Sequence, residues 1–196
     1  MKPTSFKLSS DQELLIREAE PEDAKKILEY VEVVSKESDV TSFGPGEFEL
    51  SEKEESGVLE SYKEKSNSLY LVAIVENEIV GALSFLGGKR KRIKHCGEFG
   101  MSVRKSHWRK GIGSHLISTL IGWAQIEGNI KKINLRVRTN NHKAISLYLK
   151  FGFTFEGKIS DDFIVNGRYF DHYCMGLSLR KKKKLPQPVP PQALKM

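Results

Sequence analysis

The residues best placed to do chemistry lie in two short segments. The first is Val103-Arg104-Lys105-Ser106-His107-Trp108-Arg109-Lys110-Gly111-Ile112-Gly113-Ser114, a basic loop whose two glycines open a run of helical periodicity. Glycine lets backbone N–H groups approach a ligand closely, and a helix N-terminus adds a positive dipole. Arg104, Lys105, Arg109 and Lys110 raise the local positive potential, so the segment suits a pyrophosphate. The same glycines could instead serve only tight packing. Two better-known phosphate loops are excluded. Gly-Lys-Ser/Thr after a longer glycine loop is missing, and so is the third glycine of a dinucleotide fingerprint.

The second segment is Asn141-His142-Lys143-Ala144-Ile145-Ser146-Leu147-Tyr148, followed by Lys150-Phe151-Gly152-Phe153. Asn141 has the side chain of a helix N-cap. Tyr148 falls two turns further along roughly the same helix face. Taken alone, Tyr148 reads as a core aromatic, with Phe151 and Phe153 anchoring the turn. Cys96 and Cys174 lie far apart in strand-like contexts, without CxxC or zinc spacing, and are expected to be buried reduced thiols. His95, His107, His115 and His142 lack the paired spacing of metal ligands, so no metal is expected.

These segments need elements to hold them. Leu14 to Arg17 reads as a strand, and Pro21 with Glu22 and Asp23 opens an amphipathic helix through Val34. A charged helix is expected from about Ser51 to Lys65. Leu69 to Val75 is apolar throughout, as a strand covered on both faces would be, and Ile79 to Leu86 completes a hairpin with it. Gly97 to Val103 is a strand leading into the basic loop, and Gly111 begins a helix with an apolar stripe from Ile112 to Ala124. Ile133, Leu135 and Val137 alternate with Asn134, Arg136 and Arg138 as in a half-buried strand. A helix follows from Asn141 to Lys150, ending against Gly152. Strands from Phe153 to Lys158 and from Arg168 to Leu179 close the chain, the second following the Asn166-Gly167 turn. The mixture is α+β: a mixed, mostly antiparallel central sheet flanked by helices, with a parallel step around the central helix.

Composition bounds the function classes. The chain has 196 residues, 39% hydrophobic and 29% charged, as one globular domain would have. It lacks a run of ~20 apolar residues, so no membrane span or membrane partner is expected. Residues 1–13 read as an N-terminal extension without the features of a secretory signal, which points to a cytoplasmic protein. The folded domain is expected over 14–179. Residues 180–196, basic and proline-rich, are expected to be a disordered tail that carries part of the +7 net charge. Lys89-Arg90-Lys91-Arg92 sits between two strands as a solvated loop. Without zinc-finger or helix-turn-helix patterns, specific nucleic-acid binding is not expected. A Gly-x-Ser-x-Gly elbow is absent, which removes hydrolase chemistry of that type.

The ordered set of a strand, the basic Gly-x-Gly loop and a later Asn-x-x-Ala-x-x-Leu-Tyr-x-x-x-Gly-Phe resembles the GNAT superfamily of N-acyltransferases, over roughly Leu14 to Leu179. The resemblance implies the GNAT fold, acetyl-CoA as co-substrate and a primary amine as acceptor. It implies that Trp108, Arg109, Lys110, Gly111, Ile112, Gly113 and Ser114 hold the pyrophosphate, with backbone groups of Met101, Ser102 and Val103 along the pantetheine. Asn141 and Tyr148 would lie beside the pantetheine and thioester. Tyr148 would then be the acid for the departing sulfur, and Glu98 the candidate base, with Asp171 and His172 as rivals. Family members commonly carry Arg or Gln where Trp108 stands and Gly where Arg109 stands. Glu156-Gly157, Asn166-Gly167-Arg168-Tyr169 and Asp171 are similar to the branch acetylating amino acids, small amines or protein N-termini. Loops over 35–51 and 160–168 would face the acceptor. A non-catalytic acyl-CoA sensor of the same shape is the competing expectation, and a homodimer is compatible with either.

Overall fold

The computed structural model describes residues 1–8, 11–126 and 129–180. Among them, eight strands form one sheet in the order β1-β2-β3-β4-β5-β6-β8-β7. The strands are β1 (Thr4–Lys7), β2 (Glu13–Glu18), β3 (Ser68–Val75), β4 (Glu78–Gly87), β5 (Cys96–Val103), β6 (Lys132–Arg138), β7 (Thr154–Val165) and β8 (Arg168–Ser178). The helices are α1 (Ala24–Glu37), α2 (Glu52–Lys63), α3 (Ile112–Ile126) and α4 (His142–Lys150). The α+β reading with one parallel step holds: β5 and β6 are parallel, and every other neighbouring pair is antiparallel.

The sheet separates two cores. On one face, Leu69, Leu71, Leu83, Phe85 and Phe99 pack with Ile112, Leu116, Leu120 and Trp123 of α3 and with Ile145 and Tyr148 of α4. On the other, Val72 and Ala82 pack with Ile27, Tyr30, Val31 and Val34 of α1 and Leu59 of α2. This is why β3 is apolar at successive positions. The second core stops short of β6, β7 and β8, whose α1/α2-side face is left partly open.

Several boundaries differ from expectation. The extension over 1–13 contributes β1, which pairs with β2 from Thr4↔Ile16 to Lys7↔Glu13 and becomes the edge of the sheet. Pro21 opens a 3-10 turn, Pro21–Asp23, before α1 begins. β7 runs to Val165 rather than Lys158, because the Asn166-Gly167 turn, with φ of +48° and +74°, folds β8 back along its whole length. The tail from 181 onward lies outside the described residues. Among the described residues, no helix is long and apolar enough to cross a membrane.

One feature of the sheet organises the rest. The β5–β6 ladder holds only Cys96↔Lys132, Gly97↔Ile133 and Glu98↔Asn134 and then ends. Beyond it, β5 continues paired to β4 as far as Gly81↔Val103, and β6 continues paired to β8 as far as Arg138↔His172. Each strand keeps its outer partner and loses its inner one, so the sheet opens into a cleft.

The root of that cleft is tightly built. A β-carbon at Gly97 would collide with the Leu86 carbonyl oxygen and the Phe85 ring. Gly97→Ala is therefore expected to cost about 1–3 kcal/mol, the usual cost of overpacking. Urea unfolding should show a lower midpoint at an unchanged slope. An unaltered midpoint would mean that β4 and β5 can separate there without penalty.

Candidate active site

The basic loop begins where β5 ends and is pinned on three sides. The Trp108 indole Nε1–H donates to the Val103 carbonyl at 2.7 Å, and the Lys143 ammonium of α4 lies 5.6 Å from the centre of the Trp108 ring. The Lys105 N–H donates to a Glu37 carboxylate oxygen at the end of α1, at 2.6 Å. Trp108 thus fastens the loop to both β5 and α4. Arg109 and Gly111 both adopt left-handed backbone, φ +64° and +87°, on either side of Lys110. Alternating conformations of this kind turn successive N–H groups inward to make an anion-binding concavity. At Arg109, where the resembling family commonly carries glycine, the left-handed backbone disfavours a side chain, and this chain bears that strain.

The two glycines divide the two readings between them. Gly111 needs its positive φ, and a β-carbon there would meet nothing nearer than His115 at 3.8 Å. Gly113 is a packing glycine, since a β-carbon would lie 3.2 Å from Leu147 and 3.4 Å from Met101. The Ile112 side chain is buried in the core, so only its backbone is available to a ligand. Arg104 pairs with Glu78 at 3.0 Å. Arg109 and Lys110 have no ion pair among the described residues, so their charge is uncommitted.

Tyr148 stands on α4, whose N-terminus is capped by Asn141: its Oδ1 accepts from the Ala144 N–H at 3.3 Å. The ring is 7% exposed and packs edge-on to Phe99 at 5.8 Å and against Phe153 at 5.9 Å. Its hydroxyl makes no hydrogen bond among the described residues. Burial pushes the phenol up to about 12. It is both a core aromatic and a protonated donor without a protein partner.

The odd residues of β5, Phe99 and Met101, face α3 and α4. The even ones face α1: the Ser102 hydroxyl lies 2.9 Å from that of Tyr30. Ser102 therefore offers the cleft its backbone and not its side chain. Glu98, half exposed, lies on this second face, 3.5 Å from Arg136 Nε. The rival bases separate. Asp171 is engaged by Lys158 at 2.8 Å and by the Asp161 N–H at 3.0 Å, and these hydrogen bonds hold its carboxyl below the usual range. His172 turns to the same face as Glu98, with Nδ1 3.0 Å from Asp162 Oδ2. Asp162, Arg136 and Tyr30 were not legible as site residues. Arg138 was not either: it is 6% exposed, bound to Asp39 and stacked 4.2 Å from the Phe170 ring centre. The alternation of β6 gave Arg136 and Arg138 the pattern of plain surface residues.

Residues 34–153 match the Acetyltransferase (GNAT) family. The chain belongs to that family. It is 34% identical over 106 residues to the L-amino acid N-acetyltransferase AaaT of Escherichia coli strain K12, covering 54% of this chain and 65% of that protein. It is 29% identical over 102 residues to a spermidine N(1)-acetyltransferase of Vibrio cholerae, covering 52% and 58%. The match thus spans less than two thirds of either relative's length. A solved GNAT acetyltransferase of Streptococcus pneumoniae is 34% identical, with a TM-score of 0.82 over 84% of this chain and 98% of that one.

Within this GNAT domain the state of Tyr148 is directly measurable. With tyrosine ring carbons labelled for NMR, the resonance lost in Tyr148→Phe should keep its neutral-phenol position past pH ~10, where free tyrosine ionises. It should move only near about 12. Ionisation at the ordinary value would place the hydroxyl in water.

Proposed function

We propose that this protein transfers an acetyl group from acetyl-CoA to the primary amine of an amino acid, a small amine or a protein N-terminus. The observation that carries the reading is the cleft between β5 and β6, with an uncommitted basic nest and the Tyr148 hydroxyl on its α3/α4 side. Acetyl-CoA would supply a thioester whose carbonyl carbon an amine can attack with release of a thiolate. The N–H groups from Arg109 to Ser114, with the Arg109 and Lys110 side chains, would hold the pyrophosphate, as the concavity and the helix dipole favour. The unpaired inner edge of β5 from Met101 to Val103 offers backbone N–H groups both to the pantetheine and to the carbonyl oxygen as it gains charge. Asn141 keeps one side-chain nitrogen beyond its capping role for the same arm.

Tyr148 has the protonation state the departing sulfur needs. A buried phenol held neutral above working pH keeps its proton for the sulfur, and its hydroxyl has no hydrogen-bond partner among the described residues. The acceptor amine would approach from the other face, where Gly100 leaves open space and Glu98, Arg136 and His172 line the floor. An amine attacks only after losing its proton, so that face must supply a base, and Glu98 is one candidate. A cytoplasmic location is part of this proposal.

Thiol release from acetyl-CoA, measured against amino acids, polyamines, simple amines and N-terminal peptides, tests the reading. Binding without release by any of them would return the protein to the role of a non-catalytic sensor. Gly111→Asp puts a carboxylate and a β-carbon at the nest, and calorimetry should show a large loss of acetyl-CoA affinity in a folded protein. Unchanged affinity would move the pyrophosphate elsewhere. Tyr148→Phe keeps the ring packing and should bind acetyl-CoA normally while turnover falls by roughly 10²- to 10⁴-fold. Full turnover would reduce Tyr148 to a core aromatic.

A further inference from the structure

We propose that His172, oriented by Asp162, takes the proton from the acceptor amine, and that Arg136 and Glu98 position this pair. The proposal rests on the acetyl-transfer reading and assigns its base.

The pair is built by a break in the β7–β8 ladder. Ile159 pairs with His172 and Phe163 pairs with Phe170, so three residues of β7 stand against Asp171 alone. Asp161, a non-glycine, adopts φ +54° within this bulge. Two contacts clamp it: the Asp161 N–H donates to Asp171 Oδ1, and Asp171 Oδ2 accepts from Lys158. Bulges re-aim side chains, and strained backbone persists only where its surroundings enforce it. What this bulge re-aims is Asp162, whose Oδ2 reaches His172 Nδ1 at 3.0 Å.

The resulting geometry leaves one ring nitrogen for chemistry. The His172 side chain is 12% exposed and its ring stands edge-on to Phe163 at 5.3 Å. Nδ1–H donating to a carboxylate fixes the tautomer in which Nε2 carries a lone pair. Nε2 makes no hydrogen bond among the described residues. Glu98, by contrast, has an oxygen turned to Arg136 Nε at 3.5 Å, and the same guanidinium reaches Asp162 Oδ2 at 3.7 Å. Arg136 therefore links the two carboxylates, while the Nε2 lone pair of His172 has no partner among the described residues.

Its place in the sheet suits an amine entering the cleft. His172 pairs with Arg138, two residues beyond Arg136 and past Glu98↔Asn134, where β5 and β6 have parted. A β-carbon at Gly100 would find nothing closer than Ser84 Oγ at 4.0 Å, so this face is open above β5. The charged groups around His172 are Asp162 on β7, Arg136 and Arg138 on β6, Glu98 on β5 through Arg136, and Asp39 after α1 through Arg138. Lys158 and Asp171 pair on the opposite face. The step balances. Nε2 accepts the amine proton, directly or through one water, as the nitrogen–carbon bond forms. The carbon–sulfur bond breaks, Tyr148 protonates the thiolate, and afterwards the imidazolium gives its proton to water while the Tyr148 phenolate takes one back.

The test is the pH dependence of kcat/KM for thiol release with the best amine of the panel, on the full chain. His172→Gln should lower kcat/KM at neutral pH by roughly 10²-fold or more. The defect should shrink at alkaline pH, where free amine is abundant, and acetyl-CoA affinity by calorimetry should hold. Asp162→Asn should shift the acid limb of the profile to lower pH, because the imidazolium loses its anionic neighbour. Glu98→Gln should retain an acid limb, because the titrating imidazole is still present. A His172→Gln profile overlaying wild type, or an acid limb that vanishes with Glu98→Gln instead, overturns the assignment. If His172→Gln does not fold, the Asp162→Asn limb decides, and an unmoved limb overturns the proposal. A wild-type protein that releases no thiol with any amine would fail the acetyl-transfer reading itself, and this proposal with it.

Discussion

The structure depends on a parallel ladder that stops after Glu98↔Asn134. Backbone N–H and C=O groups carry a penalty when buried without partners, so two adjacent strands normally stay paired while they run side by side. Here β4 holds the outer edge of β5 to Val103, and β8 holds the outer edge of β6 to Arg138, so neither strand can swing inward. From the α3/α4 side, the rings of Tyr148, Phe99 and Phe153 pack against one another at 5.8 to 5.9 Å. Met101 and Leu147 close around Gly113 in the same layer. The unpaired edges then form a slot, apolar on its α3/α4 side, that a ligand's amides can fill, and the rest of the molecule keeps that slot open.

Both ends of the slot are tied to elements distant in sequence. The Lys105 N–H on Glu37 and the Tyr30–Ser102 contact fix the end of β5 to α1, while Arg138 fixes the end of β6 to Asp39, the residue after the C-cap of α1. One helix therefore sets the separation of the two strands. Arg138 is nearly buried, and its guanidinium is satisfied by Asn140, Asp39 and the Phe170 ring, the arrangement an interior cation requires. Removing one of these contacts would change the width of the slot without touching any group in it.

The parts legible in the sequence were those fixed by local rules. Gly111 announced the start of a helix, Asn141 a cap, Asn166-Gly167 a tight hairpin, and the alternation of β6 a strand with one buried face. β1 was missed because Thr4–Lys7 is short and polar, with no period of its own, and exists only through pairing to β2. Trp108 looked like a departure, yet its indole bridges the loop to Val103, a role that no spacing rule encodes. Asp162 and His172 stand ten residues apart on two strands, and only the irregular register around Asp161 brings them together. Propensity and periodicity describe regular elements, so a site built on an irregularity stays hidden from them.

The two faces of the cleft differ in their electrostatics, and the difference fits the two substrates proposed. On the α3/α4 side, Arg104 is neutralised by Glu78, while Arg109 and Lys110 remain unpaired beside inward-turned N–H groups. That side favours a polyanion. On the opposite face, Glu98, Asp162 and Asp39 stand against Arg136 and Arg138, three carboxylates to two guanidiniums. That excess of negative charge would draw in an amine in the cationic form it takes in water. The cation must then surrender a proton before it can attack, so the face that attracts it must also deprotonate it. Tyr148, the proposed donor for the sulfur, lies across the sheet in a layer of aromatic rings. In the proposed mechanism, proton removal and proton delivery would thereby be kept apart, and neither group could neutralise the other before the acyl group moves.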